Sequence, residues 1–257
     1  MSLSNTPLPL IFIVSLVLIL GISELGHQVG RRMGTKEHGD ISVMESSALG
    51  LLALMIGFTF AMSLARFEAR RDAILEEANT IGTAALRARL LPAPHNRETL
   101  DLLREYAEIR VDIAQRVLPL AELNAAIEHS NNVQEQLWQQ ARAVAAKDTG
   151  MVPTGLFIQS LNDMFDAQGK RIAAGVNRVP VIVLWVLYGI AGVSIGFTGY
   201  RDGLADDRSR VPRYVMGIVV AGVILLIQDL DRPTAGFIQV SQRPIQDTAK
   251  SLEGYRD

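Results

Sequence analysis

Apolar residues gather in four blocks along the chain: Leu8 to Ile22, Ala48 to Ala65, Val179 to Tyr200 and Tyr214 to Ile227. Two blocks lie on either side of a polar stretch, Arg66 to Arg178. Helices this short can be the buried core of a soluble protein. Four of them flanking one polar block, with Trp185, Tyr188, Tyr200 and Tyr214 near block edges, favour membrane spans, because amphipathic rings collect at the headgroup level. No Lys or Arg precedes the first block, and Gly26-His27-Gln28 makes a poor cleavage site, so it reads as a span rather than a signal peptide.

The second block carries the most information. From Ser47 to Glu77 neither Pro nor a Gly pair interrupts a run of Ala, Leu, Met, Glu and Arg, all good helix formers. A single helix out to Leu91 would rise roughly 65 Å at 1.5 Å per residue, enough to cross a bilayer and continue into water. Small residues recur every fourth position, at Ala53, Gly57, Ala61 and Ala65 and on to Ala69 and Ala73, a spine that lets helices approach closely. This helix is therefore expected at the centre of a homo-oligomer. In span three Gly189, Gly192, Gly196 and Gly199, and in span four Gly217 with Ala221, are further packing positions.

In the polar stretch apolar residues keep helical spacing: Leu100, Leu103, Tyr106, Ala107, Ile109 and Ile113, then Leu120, Leu123 and Ile127, then Leu156, Leu161, Met164 and Phe165. Breaks fall at Pro92-Ala93-Pro94, Pro119 and Thr149 to Pro153. Four helices follow: the extension of span two to Leu91, then Arg97 to Leu118, Ala121 to Lys147 and Thr154 to Asn177, the last feeding into span three with Pro180 at the seam. The predicted fold is all-α, a four-span integral membrane protein with a four-helix extramembrane bundle continuous with spans two and three. Spans one and two occupy 1–65, the stalk 66–178, spans three and four 179–230, and a polar tail 231–257, with a helix candidate at Ile245 to Leu252.

Composition narrows the chemistry. The chain has 257 residues, a formal net charge of -2 and no cysteine, which argues against nucleic-acid partners and excludes thiol chemistry and disulfides. His27, His38, His95 and His129 have no metal-site spacing, so no metal and no cofactor is expected. Serine-hydrolase, phosphate-loop and dinucleotide motifs are all missing, and no enzyme is predicted. Glu68, Asp72, Glu76 and Glu77 could hold a divalent cation, but a solvated face paired with Arg70 and Arg71 is the simpler reading.

Two features bear on function. Phe60, Leu64 and Phe67 share one face of span two, and Phe58 and Met62 another. Either could ring a symmetric axis and gate it by dewetting, or could fill packing and face lipid. At the end of span four, Asp229, Asp231 and Arg232 need partners or headgroups; Arg66 is the natural ion-pair partner. Sidedness is contested. Arg31, Arg32 and Lys36 after span one, with Arg201, Arg208, Arg210 and Arg213 after span three, place both termini and the stalk outside. Arg66, Arg70, Arg71, Lys170, Arg171 and Arg178 vote the other way, and the first span tips the balance to an extracytoplasmic stalk.

The run Leu51 to Arg71, followed by Glu77-Ala78-Asn79-Thr80-Ile81-Gly82-Thr83-Ala84 and Leu86-Arg87, resembles the signature of a bacterial bestrophin-like membrane family of unassigned function. Tyr106 with Arg110 is similar to its next motif, and Asp229-Leu230-Asp231-Arg232-Pro233, Gly236 and Val240-Ser241-Gln242 to its last. More distantly, Gly57-Phe58 and Arg66-Phe67-Glu68-Ala69-Arg70 are similar to bacterial bestrophins, pentameric anion channels with a cytoplasmic helical block. The resemblance implies a multi-pass inner-membrane protein of bacteria, with span two lining a pore. Phe58, Phe60, Met62 or Leu64 would form its neck, and Arg66, Arg70 and Arg71 positive rings at its mouth for small inorganic anions. The contrasting expectation is a non-conducting scaffold or sensor whose stalk binds a ligand or partner protein.

Overall fold

The computed structural model describes residues 6–33, 41–116, 118–148, 150–205, 210–233 and 236–255. Lys36, His38, Thr149 and Arg208, named above, lie outside them. Among the described residues eight α-helices follow one another: α1 (Leu8–Met33), α2 (Ile41–Ala88), α3 (His95–Gln115), α4 (Leu120–Ala145), α5 (Leu156–Val176), α6 (Val181–Leu204), α7 (Val211–Leu230) and α8 (Arg243–Glu253). A short π-helical turn, Met151–Gly155, precedes α5. The prolines explain the punctuation. Each lies outside the α-helices or in a first turn, where its missing N–H costs nothing. With no proline for 48 residues, α2 runs unbroken and rises about 72 Å.

Among the described residues four helices are long and apolar enough to cross a membrane: α1, α2, α6 and α7. Two compact units form, one from Met1–Phe67 with Arg178–Ile238, the other from Glu68–Asn177 with Gln239–Asp257. In the first, Ile19, Leu52, Leu187, Ala191, Ile195, Ala221 and Ile224 make a core shared by all four spans. Helices α1 and α6 touch backbone to backbone. A Cβ at Gly199 would collide with the Ser23 carbonyl, one at Gly203 with that of His27, and one at Gly26 with that of Gly196. Of the packing glycines read from sequence, Gly192 and Gly196 meet Ile22, and Gly217 meets Leu20, while Gly189 faces open space.

In the second unit the α2 extension supplies Ala78, Ile81, Ala84, Ala85 and Ala88 to a core completed by Leu103, Tyr106, Leu137, Val144, Phe157, Leu161 and Met164. Burial of these side chains, at about 25 cal/mol per Å² of apolar surface, is the main force assembling the bundle.

Three boundaries differ from the sequence reading. Span one does not end at Ile22; the helix continues to Met33, because Ser23, His27 and Gly30 prolong its buried face against α6. The bundle is continuous with span two, but four residues, Asn177 to Pro180, interrupt the path into span three. Asn177 is extended (φ -76°, ψ 119°), and Pro180 disfavours helix in the residue before it. Nor is 231–257 a free polar tail. Residues up to Ile238 join the first unit, and α8 joins the second, where Ile245 and Leu252, seven residues apart on one face, are fully buried.

Candidate functional site

The second span has two faces set by its sequence. At about 100° per residue, Leu52, Thr59, Ser63, Arg70 and Glu77 fall within about 20° of one line, and all are buried. Thr59 returns its hydroxyl to the Met55 carbonyl at 2.8 Å, so a polar side chain costs little there. The opposite half carries the small spine, Ala53, Gly57, Ala61 and Ala65, all exposed. A Cβ at Gly57 would meet nothing within 4 Å.

The four candidate neck residues do not share a face. Phe58, 62% exposed, and Leu64 flank the small spine on the open half. Phe60 and Met62 stand at its edges and pack partly against the core of the first unit. Only 17% of the apolar window of α2 is buried, against 28% for α1 and 39% for each of the other two spans.

The three arginines expected at a pore mouth also diverge. Arg70 is buried and Arg66 half-buried, both on the inward half; Arg71 alone is exposed on the outward half, beside the exposed Glu68 and Asp72. They do not form a common ring on one helix face. Glu76 and Glu77 find partners on other helices. Glu76 pairs with Lys170 at 2.6 Å, and this hydrogen bond and charge raise the Lys170 ammonium above its usual value. Among the described residues no three His, Asp or Glu side chains gather in a group that could hold a metal ion.

Glu77 is the centre of a buried polar network in the second unit. It is fully buried and accepts hydrogen bonds from Arg110 Nε at 2.7 Å and from Arg171. Arg171 also reaches Gln242 at 3.3 Å, ahead of α8. The Tyr106 hydroxyl donates to Gln168, which donates to Asn131, both at 2.8 Å. Burial raises the Tyr106 phenol well above its ordinary range, and the Glu77 charge raises it further. The sequence places Tyr106 on an apolar helical stripe, marks Arg110 only through resemblance, and shows Arg171 only as a charge bearing on sidedness. A signal was available: Arg110 extends the apolar stripe Leu103, Tyr106, Ala107, and Gln168 extends Phe157, Leu161, Met164. A polar residue on a core stripe announces a buried partner.

At the other motif the expected Asp229–Arg66 pair does not form. The carboxylate of Asp229 accepts the backbone N–H groups of Phe237, at 2.9 Å, and Ile238, at 3.1 Å. Asp231 accepts the N–H of Val179 at 2.8 Å, and Arg232 donates to the Thr6 carbonyl at 2.6 Å. These charges staple the exit of α7 to the entry of α6 and the start of α1. Anionic acceptors bond backbone N–H groups more strongly than neutral ones, which suits a chain that must turn at the lipid edge. Arg66 Nε is buried and unmatched.

Four apolar helices joined to an aqueous helical bundle define a multi-pass, all-helical membrane protein. The profile of the bestrophin-like domain matches residues 13–245. The chain belongs to the bestrophin-like family. A crystal structure of a bacterial bestrophin homolog from Klebsiella pneumoniae has the same fold, with a TM-score of 0.65 at 14% identity, over 96% of each chain. A variant of that homolog carrying one mutation gives 0.67 at 15% identity, over 97% of each chain. No curated protein matches the sequence.

Proposed function

We propose that the protein assembles as a homo-oligomer about α2 and conducts small inorganic anions passively through the opening that the α2 helices enclose. The observation that carries this reading is the open half of α2: one span of four buries little of itself in its own protomer, and that half carries an exposed spine of small, close-packing residues flanked by Phe58 and Leu64. A ring of such helices can use the Gly57 and Ala61 surface for neighbours and set Phe58 towards the axis, with Leu64 on the other side of the small spine, about 120° away. Phe60 then stands behind the neck, while Met62, one turn from Phe58 on the same face, borders it. A hydrophobic constriction of this kind gates by dewetting. Arg71 contributes charge at the mouth, and Arg66 acts from the inward side. The membrane is taken to be the bacterial plasma membrane, with the stalk extracytoplasmic on the charge count.

Family membership supports the reading, as does the shared fold with a bestrophin homolog. The test is halide flux into liposomes reconstituted with material shown to be oligomeric. Flux above that of protein-free vesicles is expected, falling when Phe58 becomes Trp. Absence of flux from oligomeric protein refutes conduction, and a protein monomeric in lipid refutes the arrangement about α2.

A further inference from the structure

Remote from the open half of α2, the first unit buries a cation that its described residues do not satisfy. Arg213, in the first turn of α7, is 2% exposed. Its Nη2 reaches Glu24 of α1 at 3.3 Å, while Nε and Nη1 are buried and have no acceptor. Glu24 is also claimed by Arg210, at 3.6 Å. Two guanidiniums thus share one carboxylate, leaving one positive charge in excess. Arg201 shows the contrast: it is met by Glu45 at 2.7 Å and Asp202 at 3.2 Å. A buried donor left without a partner is costly, and more so when charged, so a missing acceptor is implied.

Position and surroundings identify its chemistry. Arg210 and Arg213 precede the apolar run of α7, at the depth where a span enters the headgroup layer, with Tyr214 beside them. Guanidinium forks match phosphate oxygens two at a time. On the same turns, Val211, Val215, Leu25 and Val29 are exposed and apolar, a surface for acyl chains rather than for water. Basic pockets between span ends are sites for anionic headgroups.

We propose that Arg210 and Arg213 bind the phosphate of an anionic phospholipid, which supplies the acceptors that Glu24 alone cannot. Phosphatidylglycerol, phosphatidylcholine and inorganic phosphate, each added to delipidated protein in neutral detergent, separate the sources. Phosphatidylglycerol is expected to raise the melting temperature and to bind in native mass spectra, with phosphatidylcholine and inorganic phosphate giving little. Arg210→Gln, at a half-exposed position, is expected to weaken phosphatidylglycerol binding about tenfold, the equivalent of ~1.4 kcal/mol. Lys250→Gln, on α8, should leave it unchanged. Arg213→Gln should abolish the lipid response, and if that variant does not fold, the Arg210→Gln measurement decides alone. Equal binding by wild type and Arg210→Gln overturns the proposal. So does a response to inorganic phosphate equal to that of phosphatidylglycerol, which would assign the arginines to a soluble anion.

Discussion

Replacing Glu77 by Gln tests the polar centre of the bundle. Glu77 is fully buried, and its carboxylate holds two guanidiniums, one of them only 2% exposed. Gln keeps the shape, but removes the charge and turns an amide donor towards Arg110 or Arg171. Breaking a buried ion pair by neutralising one partner costs roughly 3–5 kcal/mol, because the other charge stays behind uncompensated. For a chain of this size each kcal/mol lowers the melting temperature by about 2–4 °C, so a fall of roughly 6–20 °C is expected. The two tryptophans make the assay local. Trp138 packs on the core of the second unit and Trp185 is in the first, so Trp185→Phe leaves fluorescence that follows the bundle alone. Arg110→Gln alone should also destabilise, and in a double-mutant cycle it should add little once Glu77 is Gln. A Glu77→Gln melting temperature within about 2 °C of the parent, or additive effects of the two substitutions, would falsify the assignment of Glu77 as the bundle's electrostatic centre.

Gly199→Ala should destabilise the first unit by about 1–3 kcal/mol, as overpacking does, since its Cβ meets the Ser23 carbonyl; Gly189→Ala, in open space, serves as the neutral comparison in the same melting experiment. Gly57→Leu should leave the protomer fold intact, because nothing lies within 4 Å, but should reduce assembly measured by light scattering; an unchanged mass removes the small spine from the interface. Tyr106 keeps its proton in the fold at pH values where the unfolded chain loses it. A phenol raised in the fold contributes stability that is fully present below its unfolded value near 10 and is lost as pH rises beyond it. Tyr106→Phe should therefore flatten the decline of melting temperature above pH ~10, and an identical alkaline slope in both proteins would remove this contribution.

Much of the architecture was legible because it rests on local rules. Proline placement marked the helix starts, and the uninterrupted run after Ser47 marked one long α2. What stayed hidden depended on tertiary partners. The path of α1 to Met33 could not be read from hydropathy, since Ser23, His27 and Gly30 look like a polar connection until the glycines of α6 lie against them. The break before α6 hinged on whether Pro180 would kink a helix or end it, which residue counts do not decide. At the site, a face of small residues was readable on α2, but its division into an inward and an outward half was not. Arg66, Arg70 and Arg71 are adjacent in sequence and charge, yet the helix turns them to different surroundings.

That division has a consequence for the charge at the end of span two. Asp229 and Asp231 lie in the same unit as Arg66 and could in principle neutralise it, but their oxygens are committed to the N–H groups of Phe237, Ile238 and Val179. The turn after α7 thus takes up the negative charge that a simple reading gives to an ion pair. Arg66 Nε is left buried and unmatched on the inward half of α2. A charge held among low-dielectric side chains is felt further than one in water, since its field is screened less. On the proposed reading, an anion crossing the neck would feel Arg66 through the body of its helix without touching it. Discrimination by charge would then survive a neck lined only with apolar side chains.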